Sequence, residues 1–119
     1  MPHGKICYME IPARAVEDAA TFYTRVFGWT TRTRGDGALA FDDGHGMSGT
    51  WVAEADHAPD EPIRTYVMVD DIDQSLRGIV EAGGRVHLPR TDLGPGNGAF
   101  AIFHDPAGNE LGLYEGPRS

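Results

Sequence analysis

Seven side chains in this sequence can grip a small organic molecule, and several of them stand two residues apart, as strand neighbours on one face do. Tyr8 and Glu10 form one such pair and Arg64 and Tyr66 a second, while Phe100 and Tyr114 lie late in the chain and Trp51 near its middle. Residues i and i+2 of an extended segment share a face. Tyr8, Trp51, Tyr66, Phe100 and Tyr114 offer flat surfaces to a planar or apolar ligand. Arg64 can bind a carboxylate through its fork of donors or stack on a ring. Glu10 can neutralise Arg64 or take a proton as a general base, which makes it the one candidate catalytic residue. The competing reading is structural: these side chains fill a cavity with no occupant, and Glu10 serves only to balance Arg64.

Other reactive types are sparse. His3, His45, His57, His87 and His104 form no His-x-x-x-His pair, so each is expected to be solvated or locally bonded, and no metal site is signalled by them. His104 falls at a strand end. Cys7 is the single cysteine, which excludes an internal disulfide and any multi-cysteine zinc site. It is expected to be a buried, inert thiol.

These residues need a frame to position them. The chain has 119 residues, 40% apolar and 24% charged, with a formal net charge of -8. That suits one soluble domain (1–119) with a core of its own. The acidity argues against nucleic acid or an anionic membrane as partner. No apolar run is long enough for a transmembrane helix, and the first residues lack the apolar stretch of a signal peptide, so the cytoplasm is the expected compartment.

Hydrophobic alternation and turn residues predict strands over 5–11, 29–33, 38–41 and 47–53, with a helix over 14–27 capped by Gly28. A polar linker follows over 54–62. Strands over 63–69, 85–88, 99–104 and 110–115 and a helix over 72–82 repeat the plan. A Gly- and Pro-rich loop over 89–98 is expected to cover the mouth of a cavity. Setting Gly28 on Gly84 places Tyr8 on Arg64, Glu10 on Tyr66 and Ala20 on Leu76. The trace is that of a duplicated βαβββ unit, module one about 4–56 and module two about 62–116. The predicted class is α+β: two βαβββ modules forming a curved mixed sheet with the helices on its outer face. Its concave face would carry the polar and aromatic row, the usual setting of a small-molecule site.

The order βαβββ-βαβββ, the helix end FYTRVFGW, the VDDID before the second helix and the late DPAGNELGLYE resemble the vicinal oxygen chelate family. That family includes glyoxalase I, fosfomycin-resistance proteins, extradiol dioxygenases, methylmalonyl-CoA epimerase and bleomycin-binding proteins. The resemblance implies a divalent metal on the concave face, held by His, Gln or Glu on the first and last strand of each half. Counting from the matching motifs, those positions fall on Tyr8, Arg64 and Gly112, and the fourth on a strand over 47–52 with no His, Glu or Asp. The expectation is therefore no metal and no cofactor, and a metal-independent binder of a small organic molecule, as in the bleomycin-binding branch. The alternative is a lyase, isomerase or dioxygenase of the glyoxalase type with a divalent metal on unusual ligands, for which a two-residue shift offers Glu10 or Glu110. The resemblance also implies a homodimer, with Trp29 or Trp51 available to an interface.

Overall fold

Eight strands and two helices account for the ordered backbone of the computed structural model, which describes residues 3–34, 37–53 and 62–117. In chain order they are β1 (Ile6–Ala13), α1 (Val16–Phe27), β2 (Thr30–Thr33), β3 (Leu39–Asp42), β4 (Ser48–Ala53), β5 (Arg64–Met68), α2 (Ile72–Glu81), β6 (Arg85–Asp92), β7 (Ala99–His104) and β8 (Glu110–Glu115). The fold is α+β, and the strand–helix–three-strand order occurs twice, as the repeat predicts. The linker expected over 54–62 lies, except for Pro62, outside the described residues, as do residues 35 and 36 between the second and third strands.

The chain divides into two compact units. One is Tyr8–Arg64; the other joins Met1–Cys7 to Thr65–Ser119. The first seven residues thus go with the C-terminal unit, where the amide of Gly4 donates to the Met68 carbonyl (2.6 Å) and that of Met68 to the Lys5 carbonyl (2.8 Å).

In the Tyr8–Arg64 unit the strand order is β2-β3-β4-β1. β1 and β4 are parallel and the other pairs antiparallel, so the sheet is mixed. Alternation along β1 sends Met9, Ile11 and Ala13 to the face covered by α1, where Ala20, Phe41 and Trp51 complete the core. Tyr23, Trp29, Phe41 and Trp51 form an aromatic chain with centroid spacings of 4.8, 4.6 and 4.9 Å. Fully burying a side chain of this size contributes about 1.5–3 kcal/mol. α1 begins at Val16 rather than at Arg14 because β1 runs on through Pro12, paired with Val52, to Ala13. Gly28, at φ 75°, closes the helix by donating to the Thr24 carbonyl at 3.0 Å, a left-handed cap that glycine adopts without strain.

In the C-terminal unit the order is β5-β8-β7-β6. β5 and β8 are parallel, and β8, β7 and β6 antiparallel. α2 lies over Val69, Ala99, Ala101 and Leu113 through Ile72 and Leu76. Asp71 caps it, its carboxylate accepting from the Gln74 amide at 3.1 Å. A second carboxylate reaches the same helix end from β8: Glu115, 2% exposed, accepts from the Ile72 amide at 2.8 Å and from Arg90 at 3.1 Å.

β6 is longer than its sequence suggests. Pro89, expected to start a loop, lies inside the strand, which runs to Asp92 with register shifts between Val86 and Leu88 and between Leu88 and Thr91. β6 ends the strand order, and an edge strand tolerates a residue without an N–H donor. The loop that remains, 93–98, is closed by Leu93 donating to the Gly98 carbonyl at 2.9 Å. The longer loop expected over a cavity mouth is to that extent replaced by strand.

Candidate functional site

Alternation that buries Met9 and Ile11 under α1 sends Tyr8 and Glu10 to the face without a helix. The β1/β4 register sets Tyr8 beside Ser48 and Glu10 beside Thr50. Arg64, at the start of β5, brings its guanidinium to Glu10 at 3.4 Å, with the two side chains 16% and 23% exposed. Arg34 donates to the Tyr8 hydroxyl at 2.7 Å. Burial pushes the Tyr8 phenol above its ordinary value, while the charge and hydrogen bond of Arg34 pull the other way. The balance keeps a neutral phenol in a setting that already holds two guanidinium groups and a carboxylate. Such a set can recognise an anionic or planar polar group.

The same residues can be tested as holders of a divalent metal. Arg64 has no lone pair and brings a fixed positive charge. The Tyr8 oxygen is already an acceptor for Arg34. On β4, Ser48 bonds Asp42 and Thr50 donates to the Leu39 carbonyl at 2.7 Å. Gly112 offers no side chain, and a Cβ built on it would lie 2.2 Å from the Tyr66 ring. These residues do not fit the metal that the family resemblance implies.

The aromatic side chains predicted as ligand-binding divide between places. Trp51 is 3% exposed and sits in the core beneath α1 with Phe41 and Tyr23. It is not a surface for a ligand, because the β1/β4 register pairs it with the inward-facing Ile11. In the C-terminal unit Tyr66 is 7% exposed and its ring lies against Gly112. Phe100 and Tyr114 pair across β7 and β8 and share a face. The Tyr114 hydroxyl donates to the Asn97 carbonyl at 3.0 Å, tying the 93–98 loop to the sheet.

Cys7 donates weakly to the Tyr66 carbonyl at 3.6 Å, and burial pushes its thiol up. A thiol so placed is a poor nucleophile. At pH 8 Cys7 should react with an aromatic disulfide reagent about tenfold or more slowly than free cysteine; a rate equal to that of free cysteine would contradict its assigned environment.

The histidines are less scattered than they look in sequence. His3 accepts from the Asp70 amide at 3.2 Å and His45 sits exposed in a turn, while His57 lies outside the described residues. His87 and His104, however, meet edge to face with centroids 5.1 Å apart. Both approach the Glu110 Oε1, at 3.9 and 3.3 Å from their Nε2 atoms. The sequence carried half of this signal. A hairpin folded about the Asp105–Asn109 turn pairs residue 104 with residue 110, as β7 and β8 do. The approach of His87 depends on the pairing of β6 with β7, which no local pattern declares.

Residues 5–113 match the model of the family described as the glyoxalase/bleomycin resistance protein/dioxygenase superfamily. A glyoxylase-like domain-containing protein of Didymella fabae is 32% identical, with 97% of this chain and 96% of that protein covered. The anthracycline biosynthesis protein DnrV of Streptomyces peucetius is 28% identical over 93% of this chain, which spans only 46% of that protein. Methylmalonyl-CoA epimerase from Mycobacterium tuberculosis, 18% identical, has the same fold, with a TM-score of 0.69 over 98% of this chain and 89% of that one.

Proposed function

The chain belongs to the glyoxalase/bleomycin resistance protein/dioxygenase superfamily, and from that premise we propose that it binds a small organic molecule without a metal at the family's usual ligand positions. The observation that carries this reading is the Glu10–Arg64 pair beside the Tyr8–Arg34 hydrogen bond. One of the positions that would hold a metal ion, Arg64, brings a cation of its own. The ligand class that suits them is a planar molecule bearing a carboxylate, its charge met by Arg64 and its ring by Tyr8. The working assembly is a cytoplasmic homodimer. Support for the dimer comes from α1, where Phe22, Val26 and Phe27 are more than half exposed; light scattering across the micromolar range tests it, a monomer throughout counting against it.

A thermal-shift screen of aromatic carboxylates and antibiotics, run in EDTA and followed by calorimetry, tests the function. Arg64→Ala should weaken an acidic ligand by about 10- to 100-fold, the value of a charge-assisted hydrogen bond of about 1.5–3 kcal/mol. Binding that requires an added divalent metal, or that is indifferent to both Arg64→Ala and Tyr8→Ala, would overturn the reading.

A further inference from the structure

We infer that His87, His104 and Glu110 form a binding site for a divalent first-row transition metal, of the zinc class, with three protein ligands and an open position. One ligand atom from each residue lies within 4.8 Å of the others. A tetrahedral site with bonds of about 2.0–2.1 Å needs donor atoms roughly 3.3 Å apart. Glu110 Oε1 and His104 Nε2 already stand at 3.3 Å, and Glu110 Oε1 and His87 Nε2 at 3.9 Å. The outermost donor closes the difference, because the His87 side chain is 56% exposed while His104 is 14% and Glu110 25% exposed.

The backbone prepares the pair that matters most. His104 and Glu110 face each other directly across the β7/β8 ladder. The turn between them is fixed by Asp105, whose carboxylate accepts from the Asn109 amide at 2.8 Å and from its side chain at 2.9 Å. Arg85 pairs with His104, and His87, two residues on along β6, shares the face of Arg85 and so of His104.

His104 turns its Nε2 toward Glu110 at 3.3 Å, so the ring nitrogen that would ligate already faces the carboxylate. Two imidazoles and one carboxylate are borderline donors that prefer zinc, nickel or cobalt to magnesium or calcium. Three protein ligands leave a fourth tetrahedral position for water or for one oxygen of a chelating anion. The site uses β6, β7 and the start of β8, and none of Tyr8, Arg64 and Gly112. It therefore stands or falls independently of the ligand reading above.

Titration of untagged, chelator-treated protein with zinc and with nickel tests the assignment, by calorimetry and by the visible spectrum of the cobalt form. Wild type should bind one equivalent and gain several degrees of melting temperature. His87→Ala and Glu110→Gln, both on exposed or half-exposed positions, should each weaken binding by 10-fold or more, and His104→Gln likewise. His45→Ala and Arg64→Ala should bind as wild type. Absence of saturable one-equivalent binding would overturn the proposal. So would affinity that survives both His87→Ala and Glu110→Gln, or that is lost in Arg64→Ala.

Discussion

Glu115→Ala should lower the melting temperature by roughly 10–20 °C. The carboxylate is 2% exposed, accepts from the Ile72 amide at the first turn of α2, and pairs with Arg90. Truncation leaves an orphan N–H at the helix start and a guanidinium 26% exposed with its nearest counter-charge gone. Breaking a buried pair by removing one partner costs about 3–5 kcal/mol, and in a domain of this size each kcal/mol is worth roughly 4 °C. Glu115→Gln keeps an acceptor for Ile72 but loses the charge, so about 1–3 kcal/mol is expected. Arg90→Ala should fall between the two, since the positive end of the helix still favours the carboxylate. Thermal melts of the three variants check the order. A Glu115→Ala protein melting within a degree or so of wild type would mean that the pair is not part of the folded state.

Gly112→Ala is the second change with a large expected effect. The added Cβ would stand 2.2 Å from one atom of the Tyr66 ring and 2.3 Å from the next. Tyr66 is 7% exposed and has little room to retreat. Overpacking of this kind costs about 1–3 kcal/mol. The assignment of cause is testable by a double-mutant cycle: in a Tyr66→Ala background the same change should be nearly free, giving a coupling of about 1–2 kcal/mol. Equal cost in both backgrounds would place the strain elsewhere. Because the ring occupies the space a ligand side chain would need, Gly112→Glu alone should not create a metal site at the family's position.

Most of the frame was legible in the chain because its signals are local. Gly28 caps α1, Asp71 caps α2, and Asp105–Asn109 turns one strand into the next, all through side-chain or φ requirements that a few adjacent residues declare. The errors came where a neighbouring strand decides. Pro12 and Pro89 read as strand breaks, yet each is accommodated in a strand, Pro12 paired with Val52 near the end of β1 and Pro89 within the edge strand β6. Trp51 has the composition of a ligand surface, but its pairing with Ile11 makes it core. The Glu10–Arg64 approach was legible as two strand positions sharing a face type. The meeting of His87 with His104 was not, because it follows from which strand β6 pairs with and in what register. Glu115 gave no sign of burial, since a charged residue at the end of a strand is ordinarily solvated.

The irregular course of β6 has a consequence for how copies of this protein behave toward one another in a crowded solution. A straight terminal strand exposes a row of unused N–H and C=O groups on which another chain can polymerise. Here Pro89 deletes a donor from that row, and the two register shifts break its spacing. The interrupted register therefore leaves a border on which a foreign strand finds a poor template, a defence against fibrillar assembly that takes nothing from the core.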